Sequence, residues 1–142
     1  MSLPSSPPLV SDLATEVRRL ADRLRALGPA RLARPLPPHA SVADAGRAVA
    51  QALADLTAPL ELPPTVDVGG MVSVSQPGQL PQAQVLVGQP RMLPRLTDAA
   101  VGDQVAVCGN DLVAVLRMRQ DAATDSVRQR AIELLRELRL VL

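Results

Sequence analysis

Proline divides this chain. Its fourteen prolines stand at 4, 7 and 8, at 29, 35, 37 and 38, and at 59, 63, 64, 77, 81, 90 and 94. A proline inside a helix lacks the N–H for the i→i−4 bond and clashes with the preceding turn. Long helices are therefore confined to three windows, 9–28, 39–58 and 95–142. The expected fold is all-α: a bundle of about four helices with an irregular Pro/Gly/Gln-rich insert at about 59–97, which has room for a small β-hairpin.

The apolar spacing inside each window is helical. Leu13, Val17, Leu20, Leu24 and Leu27 follow one another at intervals of four and three, an amphipathic stripe. Ser11 is the expected N-cap, and Gly28-Pro29 is a stop signal. Residues 1–10 are expected to be a disordered tail, with one helical domain over 11–142. The second window opens on Ser41 with Asp44 three residues later, a capping-box spacing with Asp in place of Glu. Val42, Ala45, Val49, Leu53 and Leu56 carry its apolar face, and Ala48 and Ala52 are small enough to admit a neighbouring helix.

The third window is too long for one helix, and a break is expected between Arg119 and Asp125. Beyond it, Val127, Ala131, Leu134, Leu138 and Val141 form a stripe that Ile132 and Leu135 widen. Asp121 and Asp125 at its start, and Arg136 and Arg139 near its end, suit the helix dipole.

Residues 98–119 admit two readings. As a helix, Val101, Val105, Cys108, Leu112 and Val115 make a stripe, with Gly102, Ala106 and Gly109 as a second stripe for close packing. As a hairpin, two strands flank Gly109-Asn110. The helix is favoured, because its spacing persists over four turns although two interior glycines each cost about 1 kcal/mol. Within the insert, Thr65 to Ser75 around Gly69-Gly70 reads as a hairpin, with Gln84 to Val87 as a candidate further strand; the alternative reading, without support from the bundle, is a long mobile loop.

Composition removes several kinds of chemistry. The chain has no Phe, Trp or Tyr, so it offers no platform for stacking bases, sugars or flavins. It has no Lys either, its fifteen basic residues all being Arg. That excludes a Schiff-base lysine and a P-loop lysine. The core is built from aliphatic residues, and a chain of this length buries roughly 68–70% of its unfolded surface. The net charge is +1, unlike that of a strongly basic polyanion binder. The single cysteine forms no internal disulfide and suits a reducing compartment. The first ten residues lack the basic start and apolar run of a signal peptide. No uninterrupted apolar run approaches the roughly 18 residues of a membrane span. The expected location is the cytoplasm.

The run Arg34-Pro-Leu-Pro-Pro-His-Ala-Ser, the run Ala45-Gly-Arg-Ala-Val-Ala-Gln-Ala-Leu-Ala-Asp, and Pro94-Arg-Leu-Thr-Asp-Ala-Ala-Val-Gly-Asp-Gln-Val-Ala-Val resemble a group of small helical proteins of high-GC Gram-positive bacteria. The resemblance covers about half the chain and makes 60–92 an insertion. It implies an all-helical fold and no particular activity.

Cys108 and His39 are the residues with nucleophile or base character near neutral pH. Cys108 lies on an apolar stripe and His39 follows two prolines, so a core thiol and an exposed loop imidazole are expected, not a catalytic pair. The ligand inventory suits no common structural zinc site, and no cofactor motif occurs. The expected function is non-catalytic: a protein–protein interaction or scaffold module, able to self-associate through Leu13, Val17, Leu20, Leu24 and Leu27. The second reading is a nucleic-acid-associated regulator using Arg18, Arg19, Arg23, Arg25, Arg31 and Arg34. On a helical wheel Arg18 and Arg25 flank one side of the Leu stripe, and Arg19 and Arg23 the other. That placement favours charges lining a packed seam over a nucleic-acid-reading face.

Overall fold

A computed structural model describes residues 8–61, 92–119 and 121–142. These residues form five α-helices and no strand. The helices are α1 (Pro8–Arg25), α2 (Pro29–Leu32), α3 (Val42–Glu61), α4 (Val101–Met118) and α5 (Ala122–Val141), with one 3₁₀ turn at Asp98–Ala100 ahead of α4. The expected hairpin and added strand lie outside the described residues.

Two boundaries differ from expectation. Helix α1 begins at Pro8, so Ser11 lies within the helix, and the expected tail is helical over its last three residues. Proline is tolerated in a first turn, where its missing N–H has no intrahelical partner. Helix α3 runs through Pro59 to Glu61. Burial of Thr57 and partial burial of Leu60 carry the helix past the proline, and the Thr57 hydroxyl donates to the Leu53 carbonyl at 2.8 Å.

Caps follow local chemistry. The Ser41 Oγ accepts from the Asp44 N–H at 3.1 Å, as its spacing suggests. The reciprocal box belongs to α5. There Asp121 accepts from the Thr124 N–H at 2.9 Å, and the Asp121 N–H donates to Thr124 Oγ1 at 3.2 Å. In the sequence Asp121 reads only as a charge for the dipole, because Thr is a less familiar N3 partner than Glu or Gln. The break before α5 falls where expected, between Met118 and Ala122.

Residues 98–119 are helical, and the glycines show why two of them are tolerated. A Cβ at Gly109 would sit 2.5 Å from Val17 Cγ1, and one at Gly102 would sit 2.8 Å from the Ala21 carbonyl oxygen. Close approach of α1, through the Ala21 carbonyl at Gly102 and the Val17 side chain at Gly109, takes the place of the missing side chains. Gly102 meets the end of α1 and Gly109 its middle, so the two helices run antiparallel. Gly46, near the start of α3, faces Val101 at the start of α4, so those two start at the same end. On α3 a close approach occurs at Gly46, while Ala48 is exposed.

Helix α4 packs on α3 and α1, and α1 packs on α5. The bundle order is α3, α4, α1, α5, and the α3–α5 side is the least closed. The core is aliphatic, with Leu13, Leu20, Leu53, Leu112, Leu116 and Leu135 at its centre, each fully buried. Helix α4 with its 3₁₀ turn, Asp98–Met118, is long and apolar enough to cross a membrane, but half of that window is buried inside the bundle. A core helix meets the same criterion.

The first stripe is part of this core. Leu13, Val17, Leu20 and Leu24 are at most 1% exposed and Leu27 is partly buried. The expectation that this stripe serves as an exposed self-association seam is corrected accordingly: α1 is the helix that both α4 and α5 pack against, so its apolar face is used within one chain.

Candidate functional site: an apolar groove between α3 and α5

The open side of the bundle forms a groove of about 330 Å3. Ala45, Ala48 and Val49 of α3 form one wall. Leu134, Glu137, Leu138 and Val141 of α5 form the other, and the Leu36–His39 turn closes one end. In that turn the His39 N–H donates to the Leu36 carbonyl at 2.8 Å, and the Pro37–Pro38 peptide is cis.

The groove exists because α5 buries a different face from the one its spacing suggests. Ala131, Ile132, Leu135 and Leu138 are buried, whereas Val141 is half exposed and Leu134 only partly covered. The apolar arc of α5 is wider than the bundle uses. The packed face is rotated towards Ile132, where α1 lies, and leaves Leu134 and Val141 beside α3. Leu140, next along the surface, is 78% exposed. On α3 two of the three wall residues are alanines, Ala45 and Ala48, so an incoming backbone can come close there.

Charge at the groove is sparse. Glu137 is exposed and has no hydrogen-bond or ion-pair partner among the described residues. His39 borders the same space. An unpaired carboxylate on an otherwise apolar lining favours a cation at that point of any occupant.

Cys108 is not part of this lining. It is 6% exposed in the aliphatic core, and burial, with the Asp111 charge second, pushes its thiol above the ordinary value. The structure therefore does not bring Cys108 and His39 to a common cavity. A thiol reagent is expected to modify Cys108 slowly in the folded protein and fast in denaturant. Because the folded thiol titrates above the unfolded one, its neutral form stabilises the fold fully below the ordinary thiol value of about 8.5. That contribution declines as pH rises past this value, since the unfolded chain ionises first. Fast labelling of native protein at neutral pH would contradict the placement.

Among the described residues, no group of three or more His, Cys, Asp or Glu side chains is placed to hold a metal ion. The segment returning from the insert is fixed by polar contacts on the α3–α4 side. Arg47 pairs with Asp44 at 2.6 Å and with Asp98, and donates to the Leu96 carbonyl at 3.0 Å. Those hydrogen bonds, to Asp98 above all, raise its already high pKa. Gln51 accepts from the Leu93 N–H at 3.0 Å, and Gln104 donates to the Pro94 carbonyl at 2.9 Å.

The six arginines singled out in the sequence separate into groups. Arg25 bonds Asp103 at 2.7 Å and Asp22 at 3.2 Å on the α4 side, and Arg18 is exposed. On the α5 side, Arg19 pairs with Glu16 at 3.2 Å, and Arg23 donates to the Leu142 carbonyl at 3.2 Å. Arg31 and Arg34 border a second cavity of about 290 Å3 with Leu27, Val42 and Leu142. The two flanks of the helical wheel are thus real, and each faces a different neighbour.

Glu16 was missed in the sequence. It is 3% exposed and meets Arg19, Arg136 and Arg139 at 3.2, 3.6 and 3.2 Å. It follows Leu13 by three residues and precedes Leu20 by four, so its place on the packed edge was available from spacing alone. Its partners on α5 were not. Because the arginines are half exposed, solvent screens the cluster, and Glu16→Gln is expected to cost about 1–2 kcal/mol in urea unfolding. An unchanged midpoint would show that the cluster contributes nothing.

No family model, no curated protein and no solved structure matches this chain.

Proposed function

We propose that this protein is a non-catalytic interaction module whose α3–α5 groove receives an apolar helix of a partner protein that carries a basic side chain. The observation behind this reading is the groove itself: Leu, Val, Ala and Pro walls between two helices, with the unpartnered Glu137 at the rim. Two helical walls, with the small side chains of Ala45 and Ala48 on one of them, favour a third helix seated between them. The volume accepts a few aliphatic side chains, which places specificity in one or two anchors and the Glu137 contact.

A synthetic amphipathic peptide with Leu and Ala on one face and a single Arg tests this by NMR titration of the full chain. Shifts are expected at Ala45, Ala48, Leu134 and Leu138. Affinity should fall when the peptide Arg becomes Glu, and Glu137→Arg should reverse that preference. Shifts confined to other surfaces would overturn the reading. So would a wild type that fills its own groove by dimerising, seen in sedimentation as a concentration-dependent mass that Leu140→Asp abolishes.

A further inference from the structure

We infer that the α1–α5 seam and the neighbouring Arg31–Arg34 cavity form a docking band for the phosphate backbone of double-stranded nucleic acid, independently of the groove. Charge in this molecule is segregated. On the α1–α5 side Arg19, Arg23, Arg31, Arg34, Arg136 and Arg139 stand against Asp12 and Glu16, whereas α3, the 3₁₀ turn and α4 hold six acids against Arg47 and Arg117. The bundle order places the α1–α5 seam on the side opposite the α3–α4 seam.

On that seam Glu16 supplies one negative charge, and three guanidiniums converge on it. The carboxylate is buried, while the Arg19, Arg136 and Arg139 side chains are 58%, 51% and 34% exposed. Each guanidinium has five N–H donors in a planar fork, so most donors on the solvent side remain free for a second anion. Glu16 therefore holds the arginines in place without neutralising them.

The band continues along the molecule. Arg23 reaches the Leu142 carbonyl, and Leu142 borders the cavity that Arg31 and Arg34 line. Neither of those two side chains has a polar partner among the described residues. Asp12, one turn before Glu16 on the same flank, is the exposed acid of α1 on this face. On α5, Glu133 is turned towards Arg130 at 3.9 Å.

The absence of aromatic residues decides between forms of nucleic acid. Single strands are held largely by stacking bases on aromatic rings, and this chain has none to offer. A duplex presents about one charge per 1.7 Å of axis and is gripped through phosphates alone, which suits an arginine band. Such contact is independent of base sequence. The acidic α3–α4 side is repelled and turns the band towards the duplex.

Fluorescence anisotropy of the full chain with a labelled double-stranded DNA oligonucleotide, over a salt series, tests the inference. Four to six phosphate contacts give a log–log salt slope of about −4 to −5, a loss of roughly 10²–10³ in affinity between about 50 and 200 mM salt. The exposed pair Arg31→Gln with Arg34→Gln should lower the slope magnitude by about 2 and weaken binding at least about tenfold at low salt. The matched pair Arg25→Gln with Arg95→Gln, outside the band, should leave affinity within about twofold. Circular dichroism confirms that both variants remain folded. Four results would each overturn the inference: no salt-sensitive binding, equal losses in the two variants, tighter binding to a single strand of the same sequence, or binding to anionic phospholipid vesicles in preference to the duplex.

Discussion

Leu20→Ala is expected to lower folding stability by about 2–5 kcal/mol and to leave the sedimentation behaviour of the folded protein unchanged. Leu20 is fully buried, in a core made only of aliphatic side chains. No aromatic ring stands nearby to shift into the space, and helices α4 and α5 are both held against α1 by other contacts. The close approaches at Gly102 and Gly109 fix α4, and the Glu16 cluster fixes α5. The cavity left by the missing methyl groups therefore stays largely open, which places the cost towards the upper part of the range. Urea unfolding followed by circular dichroism gives the loss. If stability were unaffected while a native oligomer dissociated, the stripe would be an intermolecular seam and the packing described here would be wrong.

Gly109→Ala is expected to destabilise by about 1–3 kcal/mol, although Ala is intrinsically better than Gly in a helix by about 1 kcal/mol. The new Cβ would lie 2.5 and 2.6 Å from the two methyl groups of Val17. Val17 is β-branched, 1% exposed and part of the core, so its χ1 has little room to turn. The obstacle is a side chain, which permits a sharper test. In a Val17→Ala background the same Gly109→Ala change should cost nothing or stabilise, because the Cβ takes up the vacated space. A double-mutant cycle with an interaction of about 1 kcal/mol or more is expected. Additive effects would mean that α1 and α4 are further apart than the structure places them. Gly102→Ala should allow no such rescue, since its obstacle is the Ala21 carbonyl oxygen.

Local features were legible in the sequence. Prolines marked most helix limits, Leu13 to Leu24 marked the apolar face of α1, and the Gly102–Gly109 spacing indicated a close helix contact. Each depends on residues within one element, where sterics and periodicity act directly. Pro59 was misread because tertiary burial of Thr57 and Leu60 outweighs the local penalty. The Asp121–Thr124 box was missed for want of a Glu or Gln at the third position.

The candidate sites were legible only in part. The groove depends on which edge of the α5 arc packs, and that is set by α1, more than a hundred residues away. Val141 and Leu134 fit the helical stripe as well as Leu135 does, so spacing could not show that they would be left beside α3. The arginine-rich stretch was visible, but its division between an acidic neighbour at Asp103 and a shared carboxylate at Glu16 required the packing of three helices. The helical wheel separates Arg18 and Arg25 from Arg19 and Arg23, but only the fold shows that Arg25 meets Asp103 of α4 and that Arg136 and Arg139 of α5 join Arg19.

On the function proposed above, the α3–α5 groove is where this protein meets a partner. Ala48 is exposed on its wall, and Val107 is exposed on α4, away from its lining. A photo-crosslinking amino acid placed at each position in turn, in cells, followed by peptide mapping of the adducts, tests that claim most directly. The expected result is an adduct from position 48, absent from position 107, mapped to an apolar helical segment of another protein with an Arg or Lys beside the linked residue, and lost in Glu137→Arg. Equal adducts from both positions, or adducts from position 48 to acidic or extended polar segments, would contradict it.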